Sequence, residues 1–173
     1  MRVALYLIIT LSSLLNANIS LPSSFKADFN QTITNQKKKK IEYHGNLTFS
    51  KPNSLKWIYL KPTKKDVCTD DNNLIVVDHD LEQVSKYTLD DKFNLPAIIS
   101  SALKEKKGLY LAKYNEKSYK IELDIKNRLK KVLYYDDLDN FVEIEFINII
   151  YSNKIVKNKN LECKIPKFYD LLQ

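Results

Sequence analysis

The side chains in this sequence that could hold a proton, a metal or a covalent bond are sparse. The densest titratable group is Asp78-His79-Asp80, a base between two carboxylates. It follows the apolar run from Leu74 to Val77, where a strand has to turn, and Asp side chains that cap their own backbone account for it without catalysis. Glu143 and Glu145 alternate with Val142, Ile144 and Phe146, which is the solvent side of a half-buried strand. No serine sits in a glycine-flanked elbow, no glycine-rich phosphate loop occurs, and Asp70-Asp71-Asn72-Asn73 lacks the glycine and distal glutamate of a calcium loop. His44, His79 and two cysteines leave a Cys/His metal site almost without ligands. No nucleophile and base can be named together. The expectation is a protein that is not an enzyme, with no catalytic residue, no metal and no cofactor.

The first residues indicate the compartment. Arg2 precedes an apolar run over 3–15, and small or polar residues follow it, as in a secretory signal peptide. The run is too short to span a bilayer. Residues 1–17 are therefore expected to be a signal peptide cleaved after Ala17, with Ser20 as second choice, and residues 18–173 a single exported domain. No cysteine lies near the cleavage point, so no lipid is expected there. Export makes a disulfide between Cys68 and Cys163 possible, and two unconnected strand residues are the alternative that spacing leaves open. The net charge of +7 directs an exported chain toward anionic lipid headgroups or acidic protein surfaces rather than nucleic acid. Lys37 to Lys40 concentrate that charge in what reads as a solvated hairpin loop. Asp28-Phe29-Asn30-Gln31-Thr32 fits an extended bacterial glycosylation acceptor, but within an expected strand.

The elements that must carry these residues are mostly strands. Apolar residues alternate with polar ones over 25–33, 41–49, 55–59, 67–69, 83–89, 109–114, 118–125, 129–135, 141–151 and 161–165. The run 74–78 is apolar on both faces and so expected to be covered on both. The period changes once, at 95–106, where Asn94 as cap, Pro96 in the first turn, late lysines and Gly108 predict a helix with Ile98, Ile99, Ala102 and Leu103 on one side. Eleven hairpin-linked strands and one helix predict a mainly β fold, an unclosed antiparallel barrel with the helix against one mouth. Two glycines, eleven tyrosines and seven phenylalanines make its interior wide and aromatic, suited to be a container.

Several stretches resemble, in order and spacing, the LolA family of periplasmic lipoprotein carriers. They are Phe25, Phe29 and Gln31; Gly45, Leu47, Phe49, Lys51 and Pro52; Trp57, Tyr59 and Pro62; Asp78, Leu81, Gln83 and Val84; and Ile165-Pro166-Lys167. The resemblance implies an eleven-strand half-barrel under a helical lid, enclosing an apolar cavity for lipoprotein acyl chains. It implies a cavity wall of Leu47, Phe49, Leu55, Trp57, Tyr59 and Val76, a lid made by Ile98, Ile99 and Leu103, and a rim-to-lid latch for cargo release at Lys51. Lys51 and Leu55 stand where arginine and phenylalanine are commoner, so the latch loses a planar fork of donors and the wall loses ring area. Only residues 18–24 lie between the expected cleavage site and the first strand, too few for the family's usual N-terminal helix, and the helix at 95–106 is left to do most of the closing.

The implied partners are acylated lipoproteins, an ABC-type release complex at the inner membrane (LolCDE-like) and an acceptor at the outer membrane (LolB-like or other), with the chain a periplasmic monomer. A lipid- or lipoprotein-sensing module on the same half-barrel is the alternative.

Overall fold

The computed structural model describes residues 18–70, 72–88 and 93–172. The expected signal peptide lies outside them. The strands are β1 (Ser24–Thr34), β2 (Lys40–Ser50), β3 (Ser54–Lys61), β4 (Lys65–Asp70), β5 (Asn73–Asp78), β6 (Gln83–Thr88), β7 (Leu103–Lys106), β8 (Leu109–Tyr114), β9 (Lys117–Leu123), β10 (Leu129–Tyr135), β11 (Phe141–Ser152) and β12 (Asp170–Leu172), with helix α1 (Leu95–Ser100) between β6 and β7. They form one sheet in the order β12-β6-β5-β4-β3-β2-β1-β11-β10-β9-β8-β7, left open between β12 and β7. All pairings are antiparallel except β12 with β6, which is parallel.

Consecutive hairpins fix this order, and alternation fixes which face is buried. Phe25, Ala27 and Phe29 of β1 point inward with Leu47 and Phe49 of β2, Leu55 and Trp57 of β3, and Val142, Ile144 and Phe146 of β11. The two longest ladders, β1 with β2 and β1 with β11, carry this centre. The hairpins β9–β10 and β10–β11 repeat one device: Asp124 accepts from Lys126 N and Arg128 N, and Asp136 from Leu138 N and Asn140 N. Gly45 is required by close approach, since a Cβ there would collide with the Ile58 carbonyl and crowd the Phe29 ring.

Three expectations are corrected. The helix ends at Ser100, not at residue 106, and 103–106 is strand β7. Asn94 Oδ1 caps Ala97 N and Pro96 sits in the first turn as expected, but Ser100 and Ser101 hydroxyls bond back to Pro96 O and Ile98 O at the end of the helix. Gly108, at φ +73°, turns the β7–β8 hairpin instead of ending a helix. Second, 161–165 is not a strand. The segment after β11 makes a single 3₁₀ turn at Asn158–Asn160, crosses the outer face of β4–β6, and returns only as β12. The strand count is consequently twelve. Third, Leu103 is 58% exposed and forms no part of the helix.

The outer face of β5 is covered, with Val77 and the neighbouring Cys68 buried there, whereas Leu74 and Val76 on the inner face are half-buried. Cys68 and Cys163 are bridged, with Cα atoms 5.6 Å apart, and Leu161 is buried beside them in sequence. Lys56 Nζ donates to Glu162 O at 3.0 Å, and His79 Nδ1 and Tyr169 Oη share a hydrogen bond of 3.1 Å. The C-terminal segment is thus held by a covalent bond, a strand pairing and polar contacts.

Candidate functional site

The inner face meets α1, whose Leu95, Ile98 and Ile99 are completely buried in the same cluster as β1, β2, β3 and β8–β11. Ala102 follows them into it. Residues 18–22 form no helix, yet Ile19 and Leu21 pack on this cluster and supply apolar cover from the N-terminal side.

Aromatic rings fill most of the interior. Phe29 stands edge-on to Trp57 at 4.9 Å and to Tyr59 at 5.1 Å, while Phe93 stacks on Tyr134 at 5.2 Å and meets Trp57 at 6.3 Å. Between them, among the described residues, lies a cavity of about 240 Å³. Its apolar wall is Leu55, Trp57, Val67, Leu74, Phe93 and Ile144, and its polar atoms belong to Gln31, Tyr59 and Tyr134. Tyr59 Oη donates to Gln31 Oε1 at 3.0 Å. Burial, and then the nearby Tyr43, push the Tyr59 hydroxyl far above the ordinary tyrosine range; burial does the same to Tyr134. Both therefore stay neutral and the chamber carries no charge.

The residues expected from the sequence divide into three groups. Leu55, Trp57 and Tyr59 line the cavity, whereas Leu47 and Phe49 are buried core beside it. Val76 is half-buried in β5, opposite Val67, and does not line the cavity. Ile98 and Ile99 are buried in the core cluster and Leu103 is exposed; none of the three lines the cavity. Lys51 lies exposed in the β2–β3 turn, where its backbone N–H donates to Ser23 O. Its ammonium has no hydrogen-bond or ion-pair partner among the described residues. Sequence reasoning missed Gln31 as a polar wall residue, and also Leu74, Phe93 and Tyr134. Alternation with Val132 pointed to Tyr134 and position just before the helix cap pointed to Phe93.

The Asp78-His79-Asp80 group serves structure. Asp78 Oδ1 accepts from Asp80 N and Leu81 N, its Oδ2 pairs with Lys65 at 2.7 Å, and Asp80 accepts from Lys64 N. Asn30 Oδ1 is bonded to His44 Nδ1 at 2.7 Å within the β1–β2 ladder. Among the described residues no group of three His, Cys, Asp or Glu could hold a metal, and no helix is long and apolar enough to cross a membrane.

An open sheet around an uncharged, ring-lined interior defines a β half-barrel. Residues 21–107 match the family model described as outer membrane lipoprotein carrier protein LolA. The chain is 32% identical over 151 residues, 87% of each chain, to a Campylobacter jejuni protein named outer-membrane lipoprotein carrier protein. A protein of the same name from Wolinella succinogenes is 32% identical over 148 residues, 86% of each chain. In fold, the chain is similar to an uncharacterised conserved protein from Thermus thermophilus, with a TM-score of 0.56 at 10% identity over 88% of this chain and 91% of that one. It is similar too to a LolA superfamily protein from Nitrosomonas europaea, with a TM-score of 0.51 at 8% identity over 84% and 93%. The chain belongs to the LolA family of outer-membrane lipoprotein carrier proteins.

Proposed function

We propose that this protein is a periplasmic carrier that shields the acyl chains of lipoproteins between the inner and outer membranes. The observation that carries the reading is the neutral aromatic interior closed by α1 in a chain of this family. Each exposed methylene costs about 0.8 kcal/mol, so an acylated protein crossing water needs an apolar enclosure. No bond has to be made or broken.

The cavity of about 240 Å³ lies below the roughly 300–1,000 Å³ of ordinary ligand pockets. Cargo therefore enters by displacing α1 and Phe93. Acyl chains then take over the contacts that Leu95, Ile98 and Ile99 make in the closed protein. Exchanging one apolar contact for another keeps loading close to balanced, which reversible delivery requires.

In this reading an ABC-type complex at the inner membrane (LolCDE-like) loads the chain and an acceptor at the outer membrane (LolB-like or other) unloads it, with the carrier acting as a monomer. Depletion of the protein followed by membrane fractionation tests it. A carrier leaves lipoproteins stranded in the inner membrane. Normal distribution after depletion, or acyl-ester turnover by the purified protein, would overturn the reading.

A further inference from the structure

The outer face of β7–β10 carries apolar side chains that nothing among the described residues covers. The register sets Leu103 opposite Leu111, Leu111 opposite Lys120, and Lys120 opposite Leu133, a row crossing four strands. In the neighbouring rows Lys113 faces Ser118 and Tyr135 faces Phe141, whose rings lie 5.4 Å apart. Together they bound a groove of about 800 Å³, more than three times the interior cavity. Leu103, Leu111 and Tyr135 are 58%, 47% and 61% exposed.

The groove is edged by lysines. Lys104 and Lys113 in its lining, and Lys106 and Lys107 next to it in the β7–β8 hairpin, have no carboxylate partner among the described residues, while Lys120 pairs with Glu122 at 2.9 Å. Glu105 is the one carboxylate in the lining. Leucine and tyrosine standing out among unpaired lysines complement a surface that is apolar beneath and anionic at its edge. A second copy paired antiparallel along β7 about Glu105 would set Lys104 against Lys106 and Glu105 against Glu105, like charges at each of these positions.

We propose that this face is a peripheral docking site for an anionic bilayer, with Leu103, Leu111 and Tyr135 entering the headgroup layer and Lys104, Lys106, Lys107 and Lys113 contacting lipid phosphates. The use of such contact in delivery rests on the carrier reading; the contact itself does not.

Flotation of the purified chain with vesicles of equal phosphatidylglycerol and phosphatidylcholine, and with pure phosphatidylcholine vesicles, is the test. Binding is expected to the anionic vesicles only, and to weaken as salt rises from about 0.05 to 0.5 M. Leu111→Glu with Tyr135→Glu is expected to reduce it by about tenfold or more at unchanged melting temperature. Equal binding to neutral vesicles, or full binding by the double variant, overturns the proposal. So does a dimer in sedimentation equilibrium that Leu103→Glu dissociates, which makes the face an interface between copies. If vesicle binding fails while lipoproteins still co-purify, only this inference falls; if vesicles bind and no lipoprotein co-purifies, only the carrier reading falls.

Discussion

The outer face of the sheet ends in opposite ways at its two edges. At β4–β6 it is sealed by the chain's own C-terminal segment, bridged through Cys68 and Cys163 and paired as β12 along β6. At β7–β10 it carries Leu103, Leu111 and Tyr135 into solvent. Strands apolar on both faces have to be covered by something. The protein covers one such region covalently and, among the described residues, leaves the other uncovered; under the docking proposal the first face is structural and the second meets a membrane.

Paired substitutions test that separation. Val77→Glu puts an uncompensated charge under the C-terminal segment and is expected to cost about 3–5 kcal/mol in urea unfolding. Leu111→Glu makes the same change of chemistry on the open face and is expected to stay within about 0.5 kcal/mol. Equal costs would mean that both faces are structural. Next in size is Cys163→Ser, which opens a link spanning 95 residues and is expected to cost about 2–4 kcal/mol. Reducing agent should lower the melting temperature of the parent but not of this variant.

Acid sharpens the same comparison. At Asp78 burial alone would raise the carboxyl, but the Lys65 ion pair and the N–H groups of Leu81 and Asp80 outweigh it and hold it below the ordinary range. Asp124 and Asp136 are lowered against the same opposing burial, by Arg128 and Lys126 in one hairpin and by Asn140 and Leu138 in the other. A carboxyl depressed in the folded state adds stability above its unfolded pKa of about 3.9 and loses it as pH falls through the folded value. The melting temperature should therefore hold from neutral pH to about pH 5 and fall below about pH 4, and Asp78→Asn should make that fall shallower. A fall already under way near pH 6 would contradict this assignment to depressed carboxyls. The smallest effect is expected at Lys51: Lys51→Ala should change stability by less than about 0.5 kcal/mol, since its ammonium has no partner among the described residues. A large loss would reveal a contact absent from this closed form.

Period two made nine of the twelve strands legible and the continuous apolar run at 74–78 a tenth, and Asn94 with Pro96 marked where the helix starts. The helix end was not legible, because Leu103-Lys-Glu-Lys suits a helix by propensity, and only pairing with β8 through Gly108 makes it a strand. Leu161 and Cys163 mimic strand alternation, yet they are spaced that way to reach the outer face of β4–β6. Alternation named Leu55, Trp57 and Tyr59 as one face but could not tell a filled interior from an empty one, so the rings of Phe93 and Tyr134 and the small remaining cavity needed the tertiary structure. Leu111 and Leu133, on the face opposite Ala112, Val132 and Tyr134, bound the open groove, and alternation alone did not single them out.

The central claim is that the interior accepts acyl chains when α1 moves. It is tested most directly by mass spectrometry of what co-purifies from the periplasm with the parent protein and with a folded Leu55→Glu variant, its fold checked by circular dichroism. The account predicts acylated lipoproteins with the parent and none with the variant. Equal recovery of lipoproteins by both, or none by either, would contradict it.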